Sequence, residues 1–443
     1  MNSFNSSTMG VMKNEISINR REFIRTGAAA ALAIPAIVPS SAFGRGRVPA
    51  PSDRVTLGHI GVGGQGTGLL RGFLQLEDCR SVAVCDPFRG RREAAAQEVD
   101  AHYGCGSDSK STGACAAFND FRELLEHPGI DAVVIATPDH WHVPVATAAV
   151  RAGKDVYVEK PLGLSIRENQ AMRAALHRYG RMFQYGTQQR SFNKHCAFAC
   201  DLVRSGKIGE LRAIHVVAPN GATGGNPTTE PVPDGLDYDL WLGPAPRTPY
   251  TTDRVVGTGR WHIRDYALGF IAGWGAHPLD IAHWGYPRIP VEYEGTGVIP
   301  TKGLFDTVVD WNVRGRYANG VEFTFTTGED KTTFVGTEGW IAPSRAGISA
   351  SPESLLKIRL RPGEPRLLQS NNHYQNFIDA VRSRKAPASD IDSAVQSDFM
   401  SHLSEMAIRL GRRIRWDPVQ ETLLEDPEAV RMMTRSMRSP WTV

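Results

Sequence analysis

From Val55 onward the chain alternates two hydrophobic rhythms. Short β-branched runs, "RVTLGHI", "CRSVAVCD", "DAVVIATP" and "KDVYVEK", are separated by stretches in which apolar residues recur every three or four positions. Those stretches, "GTGLLRGFL", "RREAAAQEV", "HVPVATAAVRAG" and "SIRENQAMRAALHRYG", predict helices. Strands apolar on both faces and flanked by such helices predict a doubly wound, parallel α/β sheet. The alternation stops near residue 185. Beyond it "LRAIHVVAP", "VEYEGTGVIP", "DTVVDWNVRGRYA", "VEFTFTT" and "TTFVGTEGWIA" follow with few helices between them. They predict a large open, mostly antiparallel sheet in a second, α+β domain. Residues 219–260 are dense in Gly, Pro and Thr and predict long loops over a site. "NFIDAVRSRK" and "SDFMSHLSEMAIRLGRRI" predict closing helices. The domains so drawn are 53–185 and 186–443.

The first 42 residues have another character. "INRREFIRTG" sets Arg20–Arg21 before Phe23 and Ile24, a short apolar run from Gly27 to Val38 follows, and "SSA" offers small residues at a cleavage site after Ala42. This resembles a twin-arginine export signal. The apolar run is broken by Pro35 and falls short of the ~20 residues a membrane-spanning helix needs. An exported, periplasmic or extracytoplasmic protein is therefore expected, without stable membrane insertion after processing.

The 443 residues, 41% of them hydrophobic, suit two or three packed domains. Net charge is +3. Lys13, Arg20, Arg21 and Arg25 against Glu15 and Glu22 put +2 of it in the export segment and leave +1 elsewhere. No basic face is implied, which speaks against nucleic acid as a partner. The six cysteines include no C-x-x-C pair, which disfavours zinc ribbons and thioredoxin-like redox sites. Cys105 and Cys115 flank "GSDSKSTGA", and either bridge it in an oxidising compartment or remain two thiols.

"GHIGVGGQGTG" carries G-x-G-x-x-G as Gly61, Gly63 and Gly66, with Gly64 and Gln65 in the same turn. It follows a strand, opens a helix, and is followed at Asp86 by an acid closing the second strand. That context predicts dinucleotide binding. Gly61 allows the tight turn, Gly63 lets backbone approach a pyrophosphate, and Gly66 lets helix and strand pack closely. The helix N-terminus then offers unpaired N–H groups to the phosphates. Asp86 would accept ribose hydroxyls and repel a 2′-phosphate, favouring NAD; Arg89, Arg91 and Arg92 keep NADP open.

Together with that fingerprint, "ATPDHWHVP" and "VYVEKPLG" resemble the Gfo/Idh/MocA family of sugar and cyclitol dehydrogenases, from about residue 53 to the C-terminus. The resemblance implies a Rossmann domain followed by an open-faced sheet domain, and a homodimer or homotetramer through that sheet. The family's E-K-P triplet is matched by Glu159, Lys160 and Pro161. It implies that Lys160 lies beside the substrate hydroxyl, where an ammonium can stabilise a developing alkoxide. Thr137 and Pro138 fall where the family's chain passes the nicotinamide, and His142 matches a histidine beside it. Asp139 stands where relatives often carry Asn.

In "GFIAGWGAHPLDIAHWG" the family's tail, H-x-x-D-x-A-x-W, matches His277, Asp280, Ala282 and Trp284. The resemblance therefore implies His277 as general base and leaves Gly273 where the family's Asp belongs. "WHIRDYALG" offers Asp265 and Tyr266 as substitutes, with His262 and Arg264 as further polar candidates. Asp280 is read as an acid that orients its helix, and His283 as a packing or surface histidine. H-x-x-D-x-x-H spreads round a helix with no further histidines to complete a shell, so no metal is expected.

The expected activity is NAD(P)-dependent oxidation of a sugar, cyclitol or glycoside hydroxyl. Outside the cytoplasm little NAD is available, so the cofactor should be tightly held and restored in each turnover. Coupling to a second sugar would do this, as would a redox-neutral glycosidase working through a 3-keto intermediate. A non-catalytic sugar-binding protein is the third reading. Aromatic loops ("YDLWLGPAP", "RWHIRDY") suit stacking on pyranose rings or packing in a core.

Overall fold

The computed structural model describes residues 53–104, 114–368 and 370–443. The segment that resembles an export signal and Cys105 lie outside them. Strands β1 (Val55–Ile60), β2 (Cys79–Cys85), β3 (Ala116–Phe118), β4 (Ala132–Ile135), β5 (Asp155–Val158) and β6 (Phe183–Tyr185) form a parallel sheet in the order β3-β2-β1-β4-β5-β6. The order reverses between β1 and β4. The loops leaving those two strands diverge and open a crevice at the sheet's C-terminal edge. β4 and β5 are buried on both faces, as their unbroken apolar runs require. β3 and β6, of three residues each, are too short to carry a rhythm and were not anticipated.

The second sheet comprises β7 (Leu211–Ala218), β8 (Glu292–Val298), β9 (Asp310–Arg316), β10 (Glu322–Thr327), β11 (Lys331–Gly336), β12 (Gly339–Pro343), β13 (Ile348–Ser351), β14 (Ile414–Asp417) and β15 (Thr422–Leu423). Its order is β13-β12-β11-β7-β10-β9-β8-β14-β15. All its pairings are antiparallel except β7 with β10. "TTFVGTEGWIA", read above as one strand, is the hairpin β11–β12, turning where Gly336 faces Gly339. Gly339 sits at φ +147°, a backbone conformation that favours glycine.

Two helices cover one face of this sheet. Ile391–Leu410 is capped by the Asp390 carboxylate, which accepts the Ser393 N–H at 2.8 Å, and packs on β8. Ala276–Gly285 is buried along its whole length between that helix and β7 and β11. A third helix, His373–Ser383, returns to the parallel sheet, where Phe377 and Ile378 pack with Leu57, Phe73, Val134 and Tyr157. Among the described residues no helix is long and apolar enough to cross a membrane.

Candidate active site

The crevice between β1 and β4 is made largely of backbone. Gly61 lies at φ +84°, and a Cβ there would stand 2.7 Å from the Ala136 carbonyl group. A Cβ on Gly66 would run into the Gly61 carbonyl oxygen. Gly63, by contrast, would meet only the Arg91 guanidinium at 3.6 Å, and Gly64 nothing within 4 Å. Two glycines thus let strand and helix close up, and two leave the N-terminus of the helix Gly64–Leu74 bare toward the crevice. Asp86, 4% exposed, accepts the Val62 N–H on Oδ2 at 3.0 Å and the Phe88 N–H on Oδ1 at 2.9 Å. Each oxygen keeps a lone pair for a further donor. Thr137 Oγ1 lies buried in the same crevice without a hydrogen-bond partner. Bare backbone donors, a carboxylate and an orphaned hydroxyl fit a dinucleotide.

Of the three arginines beside Asp86, Arg92 is engaged by the Asp86 carbonyl and Asn119 Oδ1, both at 3.1 Å, and Arg89 points to solvent. Arg91 lines the crevice, with its guanidinium carbon 3.9 Å from the Phe88 ring centroid. The loops expected over a site lie here. Leu240, Trp241, Val255 and Arg260 form the crevice's outer wall. Their segment is tied down by Arg89 N–H to Gly235 O at 2.8 Å, Asp237 N–H to Pro87 O at 3.1 Å, and Asn119 Nδ2 to Asp237 Oδ2 at 2.8 Å.

Next to the crevice is a second cavity of about 280 Å³, built from side chains. Lys160, His277, Glu159, Gln65, Asp139, Gln188 and Arg345 supply its polar surface, and Trp261, Phe270 and Trp274 its aromatic wall. Lys160 Nζ donates to the Gly273 carbonyl at 3.1 Å. His277, 6% exposed, has Nδ1 at 2.6 Å from Gln189 Oε1. An amide oxygen only accepts, so Nδ1 carries the proton and Nε2 keeps its lone pair. Burial, with Lys160 and Arg345 adding to it, holds the imidazole's pKa well below its usual value. His277 is a neutral base.

Glu159 joins crevice to cavity. Its Oε1 accepts Gln65 Nε2 at 3.1 Å and Gln188 Nε2 at 3.4 Å, and its Oε2 the Lys160 N–H at 3.3 Å. The first turn of the helix Gly64–Leu74 is thereby fastened to the strand end that carries Lys160.

Some expected residues are placed elsewhere. Tyr266 is fully buried; its hydroxyl lies 3.1 Å from Thr248 Oγ1 and accepts Arg254 Nη1 at 3.1 Å, and its ring packs on Trp241 and His140. Asp265 faces a small separate cavity with Glu168 and Arg435. Neither stands in for the acid missing at Gly273, because neither lines the cavity that holds Lys160 and His277. His142 has Nδ1 at 2.6 Å from the Pro161 carbonyl and Nε2 at 3.0 Å from that of Thr137. It braces two site loops from behind instead of lining the crevice. Asp280 pairs both oxygens with buried Arg190, at 2.7 and 2.6 Å, and orients its helix. His283 is buried with Nδ1 unpartnered, its pKa lowered by burial to about 3.

Gln188, Gln189 and Arg345 were not anticipated. The two glutamines follow β6, at the C-terminal edge where α/β sheets build their sites; the missed strand hid them. Arg345, in the β12–β13 loop with its guanidinium carbon 4.8 Å from the Trp274 ring centroid, had no local signal.

Fold and site together define a two-domain chain with an NAD-binding Rossmann half. Residues 55–187 match the family model of the oxidoreductase NAD-binding Rossmann fold, and residues 221–443 that of the oxidoreductase C-terminal alpha/beta domain. The chain belongs to the Gfo/Idh/MocA oxidoreductase family. It is 32% identical over 169 residues to a glycosyl hydrolase family 109 protein of Shewanella pealeana, covering 34% of this chain and 36% of that one. A family 109 protein of Stenotrophomonas maltophilia is 32% identical over 205 residues, 46% of this chain and 42% of that one. The chain thus spans less than half the length of these curated relatives. An aldose-aldose oxidoreductase from Caulobacter crescentus shares the fold at TM-score 0.60 and 18% identity, over 82% of this chain and 99% of that one. Scyllo-inositol dehydrogenase from Lactobacillus casei, solved with NAD(H) and scyllo-inositol, does so at 0.57 and 16%, over the same shares.

Proposed function

We propose that the chain oxidises a ring hydroxyl of a sugar, cyclitol or glycoside with NAD that stays bound between turnovers. The carrying observation is the cavity in which Lys160 Nζ, the His277 imidazole and three aromatic rings adjoin the dinucleotide crevice. Trp261, Phe270 and Trp274 suit the apolar C–H face of a pyranose or cyclitol. His277 Nε2 takes the hydroxyl proton, with Gln189 holding the ring in the required tautomer. Lys160, anchored on the Gly273 carbonyl, donates a remaining N–H to the same oxygen as negative charge develops there. Bound NAD supplies the hydride acceptor. Glu159 keeps crevice and cavity in register through Gln65. The wall of Leu240, Trp241 and Val255 supports retention of the cofactor.

A redox-neutral glycosidase through a 3-keto intermediate is the second reading, favoured by the similarity to family 109 glycosyl hydrolases. Mass spectrometry of small molecules released from denatured protein should show NAD. Adding sugars or glycosides should then produce reduced-nicotinamide absorbance, or aglycone release with no net absorbance change. A protein that carries no dinucleotide and answers a broad panel with neither signal sinks both readings.

The arginine pair and the short apolar run support export by the twin-arginine route, and the family resemblance supports a homodimer or homotetramer. Replacing Arg20 and Arg21 with lysine should strand precursor in the cytoplasm; unchanged export refutes the assignment. Light scattering on the mature protein reads the oligomer.

A further inference from the structure

Of the two carboxylates that line the cavity, Glu159 and Asp139, hydroxyl oxidation does not use Asp139. Asp139 enters it from the turn after β4 and is 6% exposed. The other carboxylates near the site are engaged: Glu159 by two glutamines and a backbone N–H, Asp280 by Arg190, Asp86 by two backbone N–H groups. Among the described residues the Asp139 carboxylate takes its own backbone N–H and no side-chain hydrogen bond. The ionisable side chains that act on Asp139 through space are His142, Lys160 and Arg260, and those that act on His277 are Lys160 and Arg345. Asp139, Lys160 and His277 line the same cavity, and Arg260 lines the adjoining crevice. Burial raises the Asp139 pKa, against the pull of Lys160 and Arg260, and so shifts the carboxyl toward its protonated form.

Oxidising a hydroxyl requires one base and one electrophile, and His277 and Lys160 fill those roles. Breaking a glycosidic bond requires more, because an alkoxide leaves poorly without a proton. His277, held neutral by Gln189 and by burial, is a poor acid. We propose that Asp139 is the proton donor to the departing glycosidic oxygen and then the base that activates the incoming water. This rests on the glycosidase reading above. Starting from the keto-glycoside with His277 neutral, Nε2 takes the proton from C2 and that C–H pair becomes the C1–C2 double bond. The C1–O bond breaks with its electron pair on the aglycone oxygen, which takes the Asp139 proton. Water then gives a proton to the Asp139 carboxylate and its hydroxide adds to C1, while the imidazolium returns a proton to C2. These two steps transfer no net electrons and need no oxidant.

The elimination can be tested apart from oxidation by giving the full-length protein synthetic methyl and p-nitrophenyl 3-keto-glycosides in both anomers. The unaltered protein should release both aglycones. Asp139→Asn, nearly isosteric, should lower methanol release at least ~100-fold but nitrophenol release under ~10-fold, since nitrophenolate leaves without a proton. Asp139→Glu should restore part of the methanol release. Bound NAD, read by absorbance and mass spectrometry, should be unchanged in both variants. Equal losses on the two leaving groups, or loss of NAD from Asp139→Asn, would reassign the carboxylate to holding the cofactor and overturn the proposal. Cleavage of neither compound by the unaltered protein overturns it too; continued reduction of NAD by sugars in that case leaves the oxidoreductase reading standing.

Discussion

In the crevice along Gly61–Gly66 the chain offers a ligand chiefly backbone; in the cavity around Lys160 it offers chiefly side chains. The crevice depends on two glycines whose missing Cβ atoms admit close contacts and two that leave N–H groups uncovered. The cavity draws Lys160 from the end of β5, Gln188 from beyond β6, His277 from a buried helix, where Gln189 holds its ring, and Arg345 from a hairpin loop. A backbone site tolerates almost no added atom but is indifferent to neighbouring side chains. A side-chain site keeps its shape under single replacements and loses its chemistry. The two should therefore fail differently.

The largest effect should come from filling the crevice. Gly66→Val places carbon where the Gly61 carbonyl oxygen sits, forcing helix Gly64–Leu74 off β1. Bound dinucleotide should vanish from the purified protein, and activity with it. Retention of NAD at full occupancy would show that the turn can yield, and would break the distinction between the sites.

Next come the two reacting groups. Lys160→Ala and His277→Ala should each lower turnover at least ~100-fold, as expected for a positioned acid–base group, while NAD stays bound. His283→Ala, which changes a residue outside the cavity lining and unpartnered at Nδ1, should cost under ~10-fold. If His283 proves essential and His277 dispensable, His277 is not the base.

The same difference governs what the amino-acid pattern could reveal. The G-x-G-x-x-G turn and Asp86 lie within one β-α-β unit, so local rhythm located the crevice. Lys160 and His277 were legible only through matched motifs. Gln189 was not, since a glutamine after a three-residue strand has no periodicity to mark it, and its role depends on a contact across 88 residues of chain. Asp265 and Tyr266 show the converse error: nearness in sequence to the aromatic loop suggested a site, but the Tyr266 hydroxyl is taken up by Thr248 and Arg254 and Asp265 lines a separate cavity. The long-range return of His373–Ser383 to the first sheet was invisible for the same reason.

Gln189 supplies a milder test of the side-chain site. Gln189→Leu removes the acceptor that fixes the His277 tautomer and should lower turnover about 10-fold, near the cost of one hydrogen bond of ~1.4 kcal/mol. Gln189→Glu should instead favour the imidazolium. The base acts when neutral, so activity falls as pH drops through the His277 pKa. Burial holds that pKa low and keeps the acid limb of the pH profile below the usual histidine range; a carboxylate at 189 should move the limb upward. An unmoved limb in Gln189→Glu would mean that His277 does not set it.

The smallest structural effect should accompany the most telling replacement. A Cβ on Gly273 meets no heavy atom within 4 Å, and the residue's φ is not in the left-handed range that requires glycine. Gly273→Asp should therefore fold normally, changing stability by less than about 1 kcal/mol, as exposed or uncrowded substitutions do. Its carboxylate would stand beside Lys160, whose Nζ already reaches the Gly273 carbonyl at 3.1 Å. An ion pair there would draw the ammonium toward 273 and raise the pKa of His277 by placing an anion near it. This restores the acid that the family motif carries at this position. If the empty position marks a cavity diverted from plain oxidation, net reduction of NAD by a sugar should rise relative to aglycone release, read by absorbance and aglycone assay on the same sample. A fall in both by the same factor would mean that the space beside Gly273 serves the substrate itself, and that the missing acid is not what separates this site from an ordinary dehydrogenase.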